Sequence, residues 1–98
     1  MVHIESTLYG LKTTFSGELD ADQLKSWLKQ SKRALQGMQP GFRVLVDLRQ
    51  AGPMAEEAVV FWDIGVALHE RQGMRESMVL LADGRAVSMA QMLGRKAG

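Results

Sequence analysis

Few side chains in this sequence have both the types and the spacing that chemistry requires. The two histidines are His3 and His69. A metal centre would need carboxylates such as Asp63 or Glu70 to converge on them, and no ligand-spacing motif is present. His69, beside Glu70 near a helix end, reads as a surface or half-buried residue. A Ser-His-Asp arrangement can be written from Ser77 or Ser88 with His69 and Asp47, but no Gly-x-Ser-x-Gly elbow accompanies it. Gly37-x-x-x-Gly41 lacks the Lys and Ser or Thr of a phosphate loop, and no G-x-G-x-x-G follows a strand. Asp83-Gly84-Arg85 could offer N–H groups and a guanidinium to an anion. An ordinary strand-to-helix turn accounts for the same residues. The absence of cysteine excludes disulfides, thiolate metal sites and thiol nucleophiles. These observations predict no catalytic residue, no cofactor and no metal.

Binding residues are easier to nominate. Asp47 closes a predicted central strand at its carboxyl end, where open α/β sheets place their ligand crevice. It serves there as a polar anchor for a ligand or partner, or as an acceptor that caps the loop from Gln50 to Gly52. Arg49 pairs with Asp47 or projects into solvent. Lys25, Lys29, Lys32 and Arg33 recur at helical spacing, as a solvated row or as a face for an acidic partner or anionic membrane surface. Val59, Val60, Phe61, Trp62, Ile64, Gly65, Val66 and Leu68 form a stretch that is apolar almost all round. A helix covering one sheet face needs only a stripe, so part of this surface must find a second partner. Phe61, Trp62 and Val66 are the expected anchors. Met54, Met74, Met78, Met89 and Met92 add adaptable apolar surface to the same half of the chain.

The elements that must position these residues follow from periodicity. Val2, Ile4 and Thr7, then Leu11, Thr13, Phe15 and Gly17, alternate with polar residues, which predicts a hairpin or two neighbouring strands, turning near Tyr9-Gly10. Asp20 followed by Gln23 resembles a capping box, and Asp22 adds charge that suits a helix start. Leu24, Trp27, Leu28, Ala34, Leu35 and Met38 then mark a first helix, which Gly37, Pro40 and Gly41 stop. Phe42 to Leu48 is an apolar run of the kind found in strands covered on both faces. Residues 49–53 read as a loop, and 54–73 as a second helix that Glu56 and Glu57 start favourably. Ser77 to Ala82 predicts another strand. Ala86, Met89, Ala90 and Leu93 predict a third helix over 85–95. The order is β-β-α-β-α-β-α, a small single-domain layered α/β fold with a mixed, mostly parallel four-stranded sheet flanked by helices.

Bulk properties narrow the function classes. Ninety-eight residues, 46% hydrophobic and 23% charged, suit one globular domain spanning 1–98. Twelve Lys and Arg against eleven Asp and Glu argue against a dedicated nucleic-acid binder. No apolar run reaches the roughly 20 residues of a membrane span, and the first ten residues carry no basic cluster of a secretory leader. A cytoplasmic protein is expected.

The string Gly41-Phe-Arg-Val-Leu-Val-Asp-Leu-Arg49, preceded by a hairpin and helix and followed by a long helix, resembles the bacterial SpoIIAA-like proteins of the STAS superfamily. That fold is similar to the lipid-carrying Sec14-type domains. Members of this group that antagonise anti-sigma factors carry a phosphorylatable serine at the start of the helix after the Asp-Leu strand. Here the segment reads Arg49-Gln-Ala-Gly-Pro-Met-Ala-Glu-Glu57, with no Ser or Thr, and Glu57 stands near the switch position. Many members also continue into a further strand and helix, so by this resemblance either the copy is truncated, lacking the family's last strand and helix, or a sheet edge is left open, able to pair with another chain. The reading is a non-enzymatic regulatory module that binds a protein partner and forms a homodimer through the second helix. The alternative is a carrier or sensor of a lipid-like apolar small molecule, held between that helix and the sheet.

Overall fold

Alternation in the strands and the 3.6-residue stripe in the helices resolve into two layers. A computed structural model describes residues 1–92 of the chain. The strands are β1 (Val2–Ser6), β2 (Gly10–Leu19), β3 (Arg43–Met54), β4 (Glu76–Leu80) and β5 (Ala86–Val87). The helices are α1 (Ala21–Leu35) and α2 (Val59–Arg71), with 3-10 turns at Glu56–Ala58 and Met89–Gln91. The sheet follows chain order, β1-β2-β3-β4-β5. Its outer pairs are antiparallel, and β2, β3 and β4 are mutually parallel.

Two crossovers that step in the same direction with the same right-handed sense must lie on the same face. Accordingly α1 and α2 pack side by side on one face of the sheet. That face carries Leu11, Thr13 and Phe15 of β2, Val44, Val46 and Leu48 of β3, and Val79 of β4, all buried. Their neighbours alternate outward. Lys12, Thr14, Leu45 and Leu80 are half-buried, Met78 is exposed, and Arg43 pairs with Glu76 at 2.8 Å in open solvent. Among the described residues nothing covers this second face, so the apolar run of β3 is covered on one side rather than two.

Three expectations are corrected. The segment 49–53, read as a loop, continues β3, because Gly17 and Leu19 pair with Ala51 and Met54 across two register shifts. Each shift adds one residue to β3, the signature of a bulge. The second helix is preceded by a separate 3-10 turn and starts at Val59, not Met54. The predicted third helix is instead β5 and a 3-10 turn up to Gln91, giving a fifth strand; the rest of that prediction, from Leu93, lies outside the described residues. Short-range spacing of Ala86, Met89 and Ala90 fits both structures, and pairing of Val87 with Val79 decides between them.

The helix start at Asp20 is as expected. Its carboxylate accepts the Gln23 N–H at 2.9 Å, while the Gln23 amide donates to the Glu18 carbonyl instead of closing the box on the cap residue.

The core is organised around Trp27. Its ring stacks on Trp62 with centroids 5.0 Å apart and on His69 at 5.7 Å, and meets Phe15 at 5.9 Å. Gly65 lies between Trp62 and His69 on α2, and a Cβ added there would come within 2.1 Å of the Trp27 ring. Glycine is required at this helix position because the indole occupies the space a side chain would take. Gly65→Ala is therefore expected to destabilise the protein by about 1–3 kcal/mol through overpacking, although Ala is the better helix former by roughly 1 kcal/mol. Urea unfolding measures the difference, and an unchanged or higher midpoint would show that Trp27 does not hold this seat.

Candidate functional site

Polar chemistry on the described surface concentrates in two short-range pairs. Asp47 projects from the middle strand on the uncovered face, level with Thr14 of β2 and Leu80 of β4. The bulge that follows it brings Arg49 back onto the same carboxylate. The Arg49 backbone N–H and Nε both donate to Asp47 Oδ1 at 3.0 Å, and Nη2 donates to Oδ2 at 2.8 Å. This is a bidentate, charge-assisted pair with an Asx-type turn added to it. The Arg49 side-chain bonds hold the Asp47 carboxyl at about 2, against the opposing effect of burial and with help from the Arg49 N–H and the Lys12 charge. Asp47 is 8% exposed, whereas the Arg49 side chain is 59% exposed. The guanidinium therefore keeps donors free for a partner after satisfying Asp47.

Asp83 and Arg85 repeat the arrangement in the β4–β5 turn. Asp83 accepts the Arg85 N–H at 3.1 Å and its Nε at 2.8 Å, and these bonds hold its carboxyl below the usual range. The guanidinium that the sequence offers to an anion thus spends its Nε on its own turn, with the side chain 70% exposed.

His69 is corrected from a surface or half-buried residue to a core residue with no exposure. Its Nδ1 lies 2.7 Å from the Gly65 carbonyl, which can only accept, so Nδ1 carries the proton. Its Nε2 has no hydrogen-bond partner among the described residues. Burial pushes the imidazole below its ordinary value of 6.5 and outweighs the Gly65 carbonyl, so the ring is neutral. The Ser77 hydroxyl accepts the Met89 N–H at 2.9 Å and so anchors the turn beside β4. Among the described residues no three His, Asp or Glu side chains converge as metal ligands.

The other nominated residues separate. Trp62 is 1% exposed and Val66 8%. Both lie on the buried side of α2, and the Trp62 Nε1 donates to the Met89 carbonyl at 3.1 Å. Neither can anchor a partner without unfolding the core, which corrects their reading as interface residues. Phe61 is half-buried under the Lys25 ammonium, 5.3 Å from the ring centroid. Glu57 is exposed in the 3-10 turn before α2. Asp47 and Arg49 thus lie together on the uncovered face, while Glu57 and Phe61 belong to the helical layer.

The outward ridge of α2 is made by Val60 and Ile64, 54% and 47% exposed, with Ala67 one turn on. The periodicity contains the signal that selects them. Gly65 and His69 belong with Trp62 on the buried side, which places positions 60, 64 and 67 opposite; taking His69 as a surface residue rotates the helix wrongly. A second feature lies at the carboxyl ends of β3 and β4. Leu48, Ala51, Met54, Leu81 and Met92 line an apolar cleft of about 360 Å³ there.

These features rest on a recognisable frame. A protein of the DUF3478 family with a SpoIIAA-like fold, from Shewanella loihica PV-4, superposes with a TM-score of 0.62 over 83% of this chain at 17% identity. The fold is SpoIIAA-like. The protein Mglu superposes with a TM-score of 0.65 over 85% of this chain at 14% identity. The chain spans 66% of the first neighbour's length and 19% of the second's. No family model and no curated protein matches the sequence. Among the described residues no helix is long and apolar enough to cross a membrane.

Two pH dependences follow. Between its depressed folded value and 6.5, His69 binds a proton only in the unfolded chain, so stability falls as pH drops below about 6.5. His69→Phe should flatten that limb in chemical denaturation whatever its absolute stability; an unchanged slope would assign the effect to another group. Asp47 acts lower, with stability present above 3.8 and lost as pH falls toward 2. In Arg49→Gln the Asp47 carboxyl should titrate clearly higher by NMR, toward the ordinary carboxylate range.

Proposed function

We propose that this chain is a non-enzymatic regulatory module that binds a protein partner through the outward ridge of α2. The observation that carries the reading is the exposure of Val60 and Ile64 on a helix whose opposite side is filled by Trp62, Gly65, Val66 and His69. Branched apolar side chains on a rigid, internally packed helix lose little freedom on docking, which favours their use as contacts. Glu56 and Glu57 stand exposed just before the helix, in the segment without serine or threonine. No hydroxyl stands in that segment, so association in this module needs no phosphorylation step at that position. The polar groups that could otherwise suggest catalysis are committed to structure: Asp47 to Arg49, Asp83 to Arg85, His69 to the core.

The carrier reading is favoured by the cleft at the ends of β3 and β4, whose volume of about 360 Å³ lies at the small end of ligand sites. The space between α2 and the sheet, where the sequence suggests a ligand, is occupied by the indoles of Trp27 and Trp62. A bound apolar molecule would add a few hundred daltons in native mass spectrometry, and Leu81→Glu would remove that mass.

For the binding-module reading, a photo-crosslinking residue at position 64, introduced in the protein's own cells, should capture one defined protein. Val60→Glu should reduce that capture at least about ten-fold, the loss of one well-packed apolar contact, with the thermal midpoint held within a degree or two. Capture that is unaffected by Val60→Glu, or that yields no defined product, would reject the ridge as the docking site.

A further inference from the structure

β1 is the outermost strand of the sheet, and its hydrogen-bond phase is set by its pairing with β2. Met1 and Ser16 exchange backbone bonds, the Ser16 N–H donating to the Met1 carbonyl at 2.8 Å and the Met1 amine donating to Ser16 at 2.6 Å. At the other end the Thr7 N–H donates to the Gly10 carbonyl at 2.9 Å. Antiparallel pairs alternate between bonded and non-bonded positions. In this register His3 with Thr14 and Glu5 with Lys12 are therefore the bonded pairs. The odd residues of β1 spend their N–H and C=O groups on β2. Those of Val2, Ile4 and Ser6 point away from the sheet, along an edge that no other described strand pairs.

We propose that this edge pairs with a second copy of the chain, β1 against β1 antiparallel, about a two-fold axis through Ile4. The bonding phase selects the register. Only when Ile4 meets Ile4 of the other copy do all three outward residues on each strand find partners, with Val2 opposite Ser6. That register places His3 opposite Glu5 of the other copy, twice by symmetry, at non-bonded positions where side chains approach most closely. Both side chains are exposed and stand on the uncovered face of the sheet. An imidazole opposite a carboxylate is the favourable cross-strand combination, while any parallel in-register pairing would set His3 beside His3 and Glu5 beside Glu5. On the helical side, Ile4 and Val2 are half-buried and already border the core, so the two apolar layers become continuous across the axis. The free edge carries no proline, bulge or lysine to block such pairing. The product is one ten-stranded sheet, and the α2 ridges stay free for a different partner.

Backbone amide exchange followed by NMR at several protein concentrations tests this without any substitution. The amides of His3 and Glu5 should be protected at every concentration, and those of Val2, Ile4 and Ser6 only as the sedimentation mass rises to that of a dimer. A chain that stays monomeric near 1 mM, or a dimer in which those three amides remain unprotected, would overturn the proposal. The second outcome would assign self-association to another surface. Side chains provide an independent check. His3→Glu should weaken the dimer about ten-fold, from two like-charge pairs per interface. Exchanging both residues, His3→Glu with Glu5→His, should restore it to within about three-fold. Equal dissociation constants for all three proteins would refute the register, with protection of the His3-position amide showing that each variant still forms β1.

Discussion

Trp27 lies across the notch left by Gly65, with Trp62 and His69 stacked to either side and Phe15 beneath. In that seat it ties α1 to α2 over the parallel strands. Both helices must lie on the same face because the two crossovers step in the same direction with the same hand. The gap between them needs one large, flat side chain to fill it, and a side chain at position 65 would forbid the fit. The phase of α2 follows from this contact: once Gly65 faces Trp27, Val60 and Ile64 can only face outward.

That constraint also explains how the chain divides its work. The helical layer uses its aromatic residues for cohesion and cannot offer its buried indoles to a partner, so the apolar part of its outward surface is left to the branched side chains of Val60 and Ile64, among exposed charges such as Lys25, Lys29, Glu56 and Glu57. The other face of the sheet is open and carries the Arg43–Glu76 and Asp47–Arg49 pairs around Leu45, Met78 and Leu80. Among these, Asp47 is a constraint as much as a charge, because its carboxylate closes the bulge and aims the guanidinium. Burial of neutral His69 within the stack adds a group that acid would disturb before it disturbs the carboxylate pairs.

A frame of this kind supports two non-overlapping contacts. The ridge of α2 lies on the layer above the sheet, and the open edge of β1 lies at its side. A molecule that pairs through the edge therefore presents its ridges independently. The cleft at the ends of β3 and β4 is separate from both, and its lining is almost wholly aliphatic.

Local patterns in the sequence were enough for the hairpin, the first helix with its Asp20 cap, the β3 and β4 runs and the order of elements as far as β4. These depend on periodicity and on caps, which act over a few residues. The pairing of Asp47 with Arg49 was also within reach, since they stand two positions apart. Tertiary structure alone decided the rest. Whether residues 49–53 form a loop or a bulged strand depends on Gly17 and Leu19, more than thirty positions away. Residues 86–91 fit a helix by spacing and became strand and turn because β4 and Trp62 were there to receive them. Trp62 and Val66 looked like anchors because an apolar side chain is equally suited to a core and an interface, and only the position of Trp27 tells which one it enters. His69 shows the same limit from the polar side: its type suggests the surface, and the stack that surrounds it decides otherwise.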